Sequence, residues 1–298
     1  MEYTYKVTKE DIEIIEKGIN TVFDPRLSFI FKDKTALRKF LIVSYDSQNI
    51  YCWTTEHLDY KSSASFNLPD KKRVYLYIIP HNIKITILNR TGWHTDIYLD
   101  GLDSVLPKEL LDDISLPRMS GSLLGDFIAT QKEVKGTANN PYIFRDGYLA
   151  TIIHEFGHIY YDQTSPSVKA RSIKFLINAE SLFAGKTPND LTNPYVPYVP
   201  PQDLFYLFSE AYAMCAEMYA SSIFYPKHEK LLSLFLLKLI RWVLEEEHTK
   251  TTPFSALDTQ YKHTVAAAIG KIFMHLYPAD WPEIIINYPS FWPKDRFN

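Results

Sequence analysis

The stretch of residues 150–162, ATIIHEFGHIYYD, constrains this chain more than any other part of it. Aliphatic and aromatic residues on both sides predict a largely buried helix, in which His154, Glu155 and His158 must find partners or cost stability. Residues four apart in a helix differ by about 40° in direction and by about 6 Å along the axis. Both imidazoles therefore face the same way and can bind one metal ion.

Glu155 lies about a quarter turn from His154 around this helix, too displaced to be a third ligand but well placed to touch water in an open coordination position. Zinc lowers the pKa of a bound water to about 7, and a neighbouring carboxylate can take the proton as that water attacks a carbonyl. The same carboxylate can then pass the proton to the leaving amine. We expect a hydrolytic zinc site with His154 and His158 as ligands and Glu155 as general base and acid.

A catalytic zinc needs three protein ligands and one open place. In HEFGHIYYDQT, Tyr161 and Thr164 stand where the HExxHxxGxxH arrangement has its glycine and last histidine, and a GTxxDxxYG run is absent. The remaining common option is a glutamate on a second helix. The segment LFSEAYAMCAEMYA offers Glu210, which we predict as the third ligand. Glu217, two turns later on the same face, and Asp162 are candidates to orient a ligand histidine.

These two segments resemble the gluzincin metallopeptidases. Several gluzincin families carry the glutamate ligand in a pattern of E, a small residue, an aromatic residue and A, with another acidic residue seven positions on. The positions that match are Glu210, Ala211, Tyr212, Ala213 and Glu217. The resemblance covers two short helices, and the HExxH segment is the more specific of the two.

HEFGH followed by FSEAYA is also similar to the lethal factor and proline-proline endopeptidase group of bacterial gluzincins. In that group two glutamates stand four apart and the first binds zinc, whereas here Tyr206 occupies the place of the first. We retain Glu210 as the ligand because a carboxylate binds zinc far better than a phenol does.

The resemblance further implies a tyrosine or histidine that donates a hydrogen bond to the oxyanion, a contribution of about 10² to 10³ in rate. Tyr206 lies one turn before Glu210 on the same face and is our candidate. Tyr195, Tyr198 and His263 remain alternatives.

The N-terminal part shows a mixture of helical and strand patterns. Thr8 and Asp11 form a capping-box pattern before a first amphipathic helix. A second helix is predicted across KTALRKFLIVSY, residues 34–45, after which NIYCWTT looks extended. Residues 71–100 are rich in β-branched and aromatic residues separated by turn signals, and they predict an antiparallel meander.

The C-terminal part is predominantly helical. A helix is predicted over residues 166–185 and a tyrosine-bearing extended loop over the proline-rich residues 187–203. Three further helices are predicted at LFYLFSEAYAMCAEMYASS, HEKLLSLFLLKLIRWVLEEEH and YKHTVAAAIGKIFMHLY. We therefore expect two subdomains, 1–163 and 164–298, which form one catalytic unit.

Charge and cysteine content exclude several classes of protein. Thirty-two basic and thirty-five acidic residues give a net charge of −3, so no overall field attracts nucleic acid or an anionic membrane. The most apolar segment, LLSLFLLKLIRWVL, is too short for a membrane span and carries Lys238 and Arg241. Cys52 and Cys215 are predicted to be buried free thiols. No signal peptide is visible at the N-terminus, which predicts a cytoplasmic protein, with secretion by another route as the open alternative.

Together these patterns predict an α+β chain of zincin-like fold, with a mixed helix and antiparallel-sheet part followed by a helical part. The expected function is a zinc metalloendopeptidase that hydrolyses a peptide or protein substrate, bound along an edge strand within residues 71–100 as the resemblance implies. Two alternatives remain open: a metal-binding or regulatory protein of the same fold without turnover, and a hydrolase of a non-peptide amide.

Overall fold

The computed structural model describes residues 6–90, 95–99, 105–106, 118–120, 145–164, 201–245 and 259–291. The chain divides into two compact units, Met1–Gln163 and Thr164–Asn298. In the described residues, the first unit contains helices and strands and the second contains helices alone. The chain is therefore an α+β protein, with its strands concentrated in the first unit.

The first unit begins with helix α1, Lys9–Val22, whose start is fixed by the predicted capping box. The backbone N–H of Asp11 donates to the Thr8 hydroxyl, and the backbone N–H of Thr8 donates to the Asp11 carboxylate at 2.7 Å. Two N-terminal donors of the helix are thereby satisfied. Short 3₁₀ helices follow at Pro25–Leu27 and Lys34–Leu37.

Seven strands are described in the first unit: β1 (Leu41–Tyr45), β2 (Asn49–Thr54), β3 (Ala64–Asn67), β4 (Arg73–Pro80), β5 (Ile85–Arg90), β6 (Thr95–Leu99) and β7 (Arg118–Ser120). Five of them form one sheet in the order β3-β4-β2-β1-β7. Neighbouring strands are antiparallel except for β7, which runs parallel to β1. Strands β5 and β6 pair with each other in a separate antiparallel sheet.

The helix predicted across residues 34–45 was wrong. Only Lys34–Leu37 is helical, in a single 3₁₀ turn, and Leu41–Tyr45 is strand β1. All five residues of β1 are buried, and the strand pairs with β2 along its whole length. A short apolar run of this kind has no periodicity that separates a buried strand from a buried helix, so its sheet partners decide the outcome.

The meander predicted over residues 71–100 was also wrong in its connectivity, because β4 pairs with β2 and β3 and not with β5. After β4 the chain is held at the turn between β1 and β2: the His81 backbone N–H donates to the Gln48 carbonyl, and the His81 ring contacts the Asp46 carbonyl at 2.9 Å. As an interior strand, β4 has no open edge for an extended peptide. Among the described strands between residues 71 and 100, β5 and β6 remain as candidates for an edge strand that binds an extended peptide.

One face of the sheet carries a core of alternating residues. Leu41, Val43 and Tyr45 point to the same side of β1 and pack with Cys52 and Tyr77 from the neighbouring strands. Burial in this apolar layer raises the pKa of the Cys52 thiol to about 12. The thiol is therefore neutral and behaves as a small apolar side chain.

The first unit also contains helix α2, Arg145–Thr164, which carries the HExxH segment as predicted. Its aromatic residues anchor it: Phe156 makes edge-to-face contacts with Phe23 and Phe40, and Tyr160 makes one with Phe31. The Tyr160 hydroxyl also accepts a hydrogen bond from the backbone N–H of Asp33. These contacts fix the rotation of α2 about its axis, and hence the direction in which its histidines point.

The second unit contains, in its described residues, helices α3 (Pro201–Phe224), α4 (Pro226–Glu245), α5 (Thr259–Leu276) and α6 (Trp281–Phe291). The first three confirm the predicted helices, while α6 was not predicted. Helix α3 begins at Pro201, inside the loop expected at 187–203, because proline is well suited to the first position of a helix. The rest of that loop and the helix predicted at 166–185 lie outside the described residues.

Helices α3 and α5 approach each other closely at Gly270. A Cβ atom at this position would lie 2.4 Å from the Cys215 sulfur and 3.0 Å from the Ala211 carbonyl oxygen. Only glycine fits here without displacement, which accounts for a glycine inside a helix. Both cysteines are buried free thiols, as predicted, and burial raises the pKa of Cys215 as well.

Candidate metal centre

The two histidines of the HExxH segment lie side by side on α2. Their ring centroids are 4.9 Å apart, and the Nε2 atoms of His154 and His158 approach to 3.2 Å. Two nitrogen ligands of a tetrahedral zinc, each about 2.0–2.1 Å from the ion, lie about 3.3 Å apart. The observed separation therefore fits one shared ion without any change of side-chain conformation.

The two Nε2 atoms are also at hydrogen-bond distance, at 3.2 Å. Without a metal ion one ring can donate its N–H to the other, and a metal ion would take the place of that proton. His154 is 7% exposed and is surrounded on α2 by buried apolar residues, among them Ile153 and Phe156. A polar ring in such surroundings is costly unless it is bound to a partner.

Glu155 lies next to this pair and is half-buried, in contrast to the buried His154. Its position on the helix directs it away from the line between the two Nε2 atoms, by about 100° from His154. The partial exposure of Glu155 is compatible with contact to a solvent or substrate molecule. This is the arrangement that a general base requires.

Glu210 lies on α3 and is 4% exposed, so it is slightly more shielded from water than His154, which is 7% exposed. His154, His158 and Glu210 form a group in which one ligand atom from each residue lies within 4.8 Å of the others. Two imidazoles and one carboxylate are the ligand set of open, catalytic zinc sites, whereas structural sites normally have four protein ligands. These three residues could therefore hold a metal ion, and their donor atoms are of the kinds that zinc accepts.

Glu210 has a second neighbour that the sequence did not reveal. The Nε2 atom of His263, on α5, lies 3.2 Å from Oε2 of Glu210, and both side chains are mostly buried, at 14% and 6% exposed. From the sequence, His263 was expected only as an alternative donor to the oxyanion. Nothing in the spacing of these two residues along the chain indicates their contact, because it arises from the packing of α5 on α3.

Glu217 has a buried partner that the sequence did not indicate. Its Oε1 atom lies 3.1 Å from Nε2 of His228 on α4, and both side chains are 1% exposed. Glu217 is therefore buried and not solvated, and its expected role in orienting a ligand histidine stays a prediction. His228 was given no role from the sequence. Asp162, the other residue considered, is exposed at the end of α2.

Tyr206, predicted to bind the oxyanion, lies one turn before Glu210 on α3 and is 39% exposed. The ammonium group of Lys262 lies 6.0 Å from the centre of its ring, within the range of a weak cation–π contact. The tyrosine side chain is thus accessible, as a substrate-binding group must be. The alternatives Tyr195 and Tyr198 lie outside the described residues.

Comparison of the chain with protein-family models, with curated proteins and with solved structures gave no match. No helix in the described part of the chain is long and apolar enough to cross a membrane.

Proposed function

We propose that this protein is a zinc-dependent metallopeptidase of zincin-like, gluzincin type. The observation that carries the proposal is the grouping of His154, His158 and Glu210, with a Nε2–Nε2 separation of 3.2 Å that matches two ligands of one tetrahedral ion. His154 and His158 would supply the nitrogen ligands and Glu210 the oxygen ligand. Zinc, when bound, supplies the charge that acidifies a water molecule and polarises the substrate carbonyl.

Glu155 would act as the proton carrier of the reaction. Its carboxylate would accept a proton from the attacking water and deliver it to the leaving amine as the C–N bond breaks. Tyr206 is the proposed donor to the carbonyl oxygen as negative charge develops there, and its exposure is compatible with that role. The intact Glu155 favours an enzyme over a purely structural site, since a closed four-ligand site has no use for it.

The test is to replace Glu155 by glutamine and to measure zinc content and hydrolysis of a fluorogenic peptide library. Glu155→Gln should retain zinc and lose about 10²- to 10⁴-fold in rate, the range that general acid–base catalysis contributes. Glu13→Gln, which alters an exposed carboxylate of α1, is the matched control and should behave like the unmodified protein.

Each alternative outcome has a distinct meaning. Near-full activity in Glu155→Gln would remove Glu155 from its role. Zinc binding by the unmodified protein without cleavage of any peptide would favour a regulatory metal-binding protein. Absence of zinc binding would end the proposal.

A further inference from the structure

We infer that His263 is a positioning residue for the metal centre: it holds the Glu210 carboxylate in the orientation that binds zinc. This inference rests on the proposed function, because it takes Glu210 as a ligand. Its own basis is the 3.2 Å contact between His263 Nε2 and Glu210 Oε2. This separation is that of an ion pair, and the angle between the two groups is not that of a hydrogen bond.

A carboxylate has two oxygens, and a zinc ligand of this kind uses one of them for the metal while the other accepts a hydrogen bond. With its proton on Nε2, His263 would donate to Oε2 of Glu210 after a small rotation of either side chain, and Oε1 would be left for the ion. Such a hydrogen bond would restrict the rotation of the carboxylate before the metal binds. It would also compensate part of the cost of burying Glu210, which is 4% exposed.

The packing of α5 on α3 explains why His263 reaches Glu210. His263 and Gly270 are seven residues apart and therefore lie on the same face of α5, since seven residues complete almost two turns. At Gly270 this face contacts the carbonyl oxygen of Ala211, the residue next to Glu210. The close approach that requires glycine at 270 thus also presents the His263 ring to the ligand carboxylate.

The geometry distinguishes this role from two others. As a fourth protein ligand, His263 would join the candidate ligand group, but that group consists of His154, His158 and Glu210. As a donor to the substrate oxyanion, the Nε2 atom would face an open position, whereas it faces a mostly buried carboxylate. Support of a ligand is the role left by these contacts.

The experiment measures the dissociation constant for zinc in the full chain by competition with a chromophoric chelator, in parallel with the melting temperature of the metal-free protein. His263→Ala should weaken zinc binding about 10- to 100-fold, as expected for loss of a hydrogen bond to a metal ligand. His263→Gln keeps an N–H donor and should remain within about threefold of the unmodified protein. His275→Ala alters an exposed histidine of the same helix and should leave zinc binding unchanged.

His263→Leu keeps the volume of the side chain and removes the donor, so its comparison with His263→Gln decides the matter if the alanine variant does not fold. Unchanged zinc affinity in the variants without a donor, with or without a lower melting temperature, would overturn the inference and leave the proposed function intact. A loss of kcat at unchanged zinc affinity would make His263 a catalytic residue and would also overturn it. Failure of the unmodified protein to bind zinc would remove the proposed function first, and the inference with it.

Discussion

Helix α3 carries two glutamate–histidine pairs of the same chemistry in very different surroundings. Glu217 and His228 approach to 3.1 Å with 1% of each side chain exposed, while Glu210 and His263 approach to 3.2 Å with 6% and 14% exposed. The two glutamates are seven residues apart and so lie on nearly the same face of the helix. A buried acid beside a histidine is therefore not in itself a sign of a functional site.

The two pairs differ in the side chains that lie beside them. Glu210 belongs to a group with His154 and His158 that fits one metal ion, whereas Glu217 belongs to no such group among the described residues. The Glu217–His228 pair joins α3 to the following helix, and its complete burial leaves no room for exchange with solvent. We therefore expect the first pair to support metal binding, as proposed above, and the second to contribute mainly to the stability of the helical unit.

The largest expected effect is on zinc affinity when each glutamate is replaced by glutamine, which keeps the shape and removes the charge. Glu210→Gln should weaken zinc binding by more than about 100-fold, beyond the range found for residues that only support a ligand. Glu217→Gln is the matched control and should change the dissociation constant by less than about threefold. Competition with a chromophoric chelator measures both. Equal losses in the two variants would mean that the comparison is wrong and that both pairs act on the metal.

The second prediction concerns stability, for which the Glu217–His228 pair should matter more than the Glu210–His263 pair. Glu217→Ala leaves His228 buried without its partner, which costs about 1–3 kcal/mol for a neutral group and about 3–5 kcal/mol for a charged one. We expect a loss of about 3 kcal/mol in the free energy of unfolding, measured by urea denaturation of the metal-free protein. Zinc affinity at temperatures where the variant is folded should be unchanged.

A double variant tests the cause of that loss. Glu217→Met combined with His228→Leu replaces both polar groups by apolar ones of similar size, which is often neutral or stabilising. The double variant should recover to within about 1 kcal/mol of the unmodified protein. If it is as unstable as the single variant, the loss comes from packing and not from an unpaired polar group.

The parts of the fold that local pattern determines were predictable. The capping box at Thr8 and Asp11, the HExxH helix and the three helices α3, α4 and α5 each have their signal within one stretch of sequence. The segment 34–45 and the connectivity of β4 were not predictable in this way, because strand partners decide both. The hydrogen bond between the His81 ring and the Asp46 carbonyl, in the turn before β2, could not be predicted from a local sequence pattern.

The residues of the candidate site also differ in how far a local sequence pattern predicts them. His154 and His158 are one helical turn apart, so the sequence alone predicts that their rings lie side by side on one face of the helix. Glu210 needed the additional pattern of small and aromatic residues around it. The contacts of His228 and His263 with their glutamates depend on how whole helices pack, and histidine itself gives no hint of which neighbour it will meet.

The smallest expected effect comes from Gly270, where α5 contacts α3 beside Glu210. Gly270→Ala gains about 1 kcal/mol in helix propensity but places a Cβ atom 2.4 Å from the Cys215 sulfur, an overpacking that costs about 1–3 kcal/mol. We expect a net loss of about 1 kcal/mol in the free energy of unfolding and a few-fold weaker zinc binding, because α5 must shift and takes His263 with it. Urea denaturation and the chelator competition measure the two effects.

Cys215→Ala removes the sulfur that the new methyl group would meet, so it should restore part of the zinc affinity in the Gly270→Ala background, although the contact with the Ala211 carbonyl oxygen remains. Such a reversal would show that the two residues interact directly, since independent substitutions add. The Glu217–His228 pair lies between α3 and α4 and should not respond to either change. Zinc affinity that is unaffected by Gly270→Ala would mean that the ligand carboxylate holds its position without close packing of α5, and it would weaken the link between this interface and the metal centre.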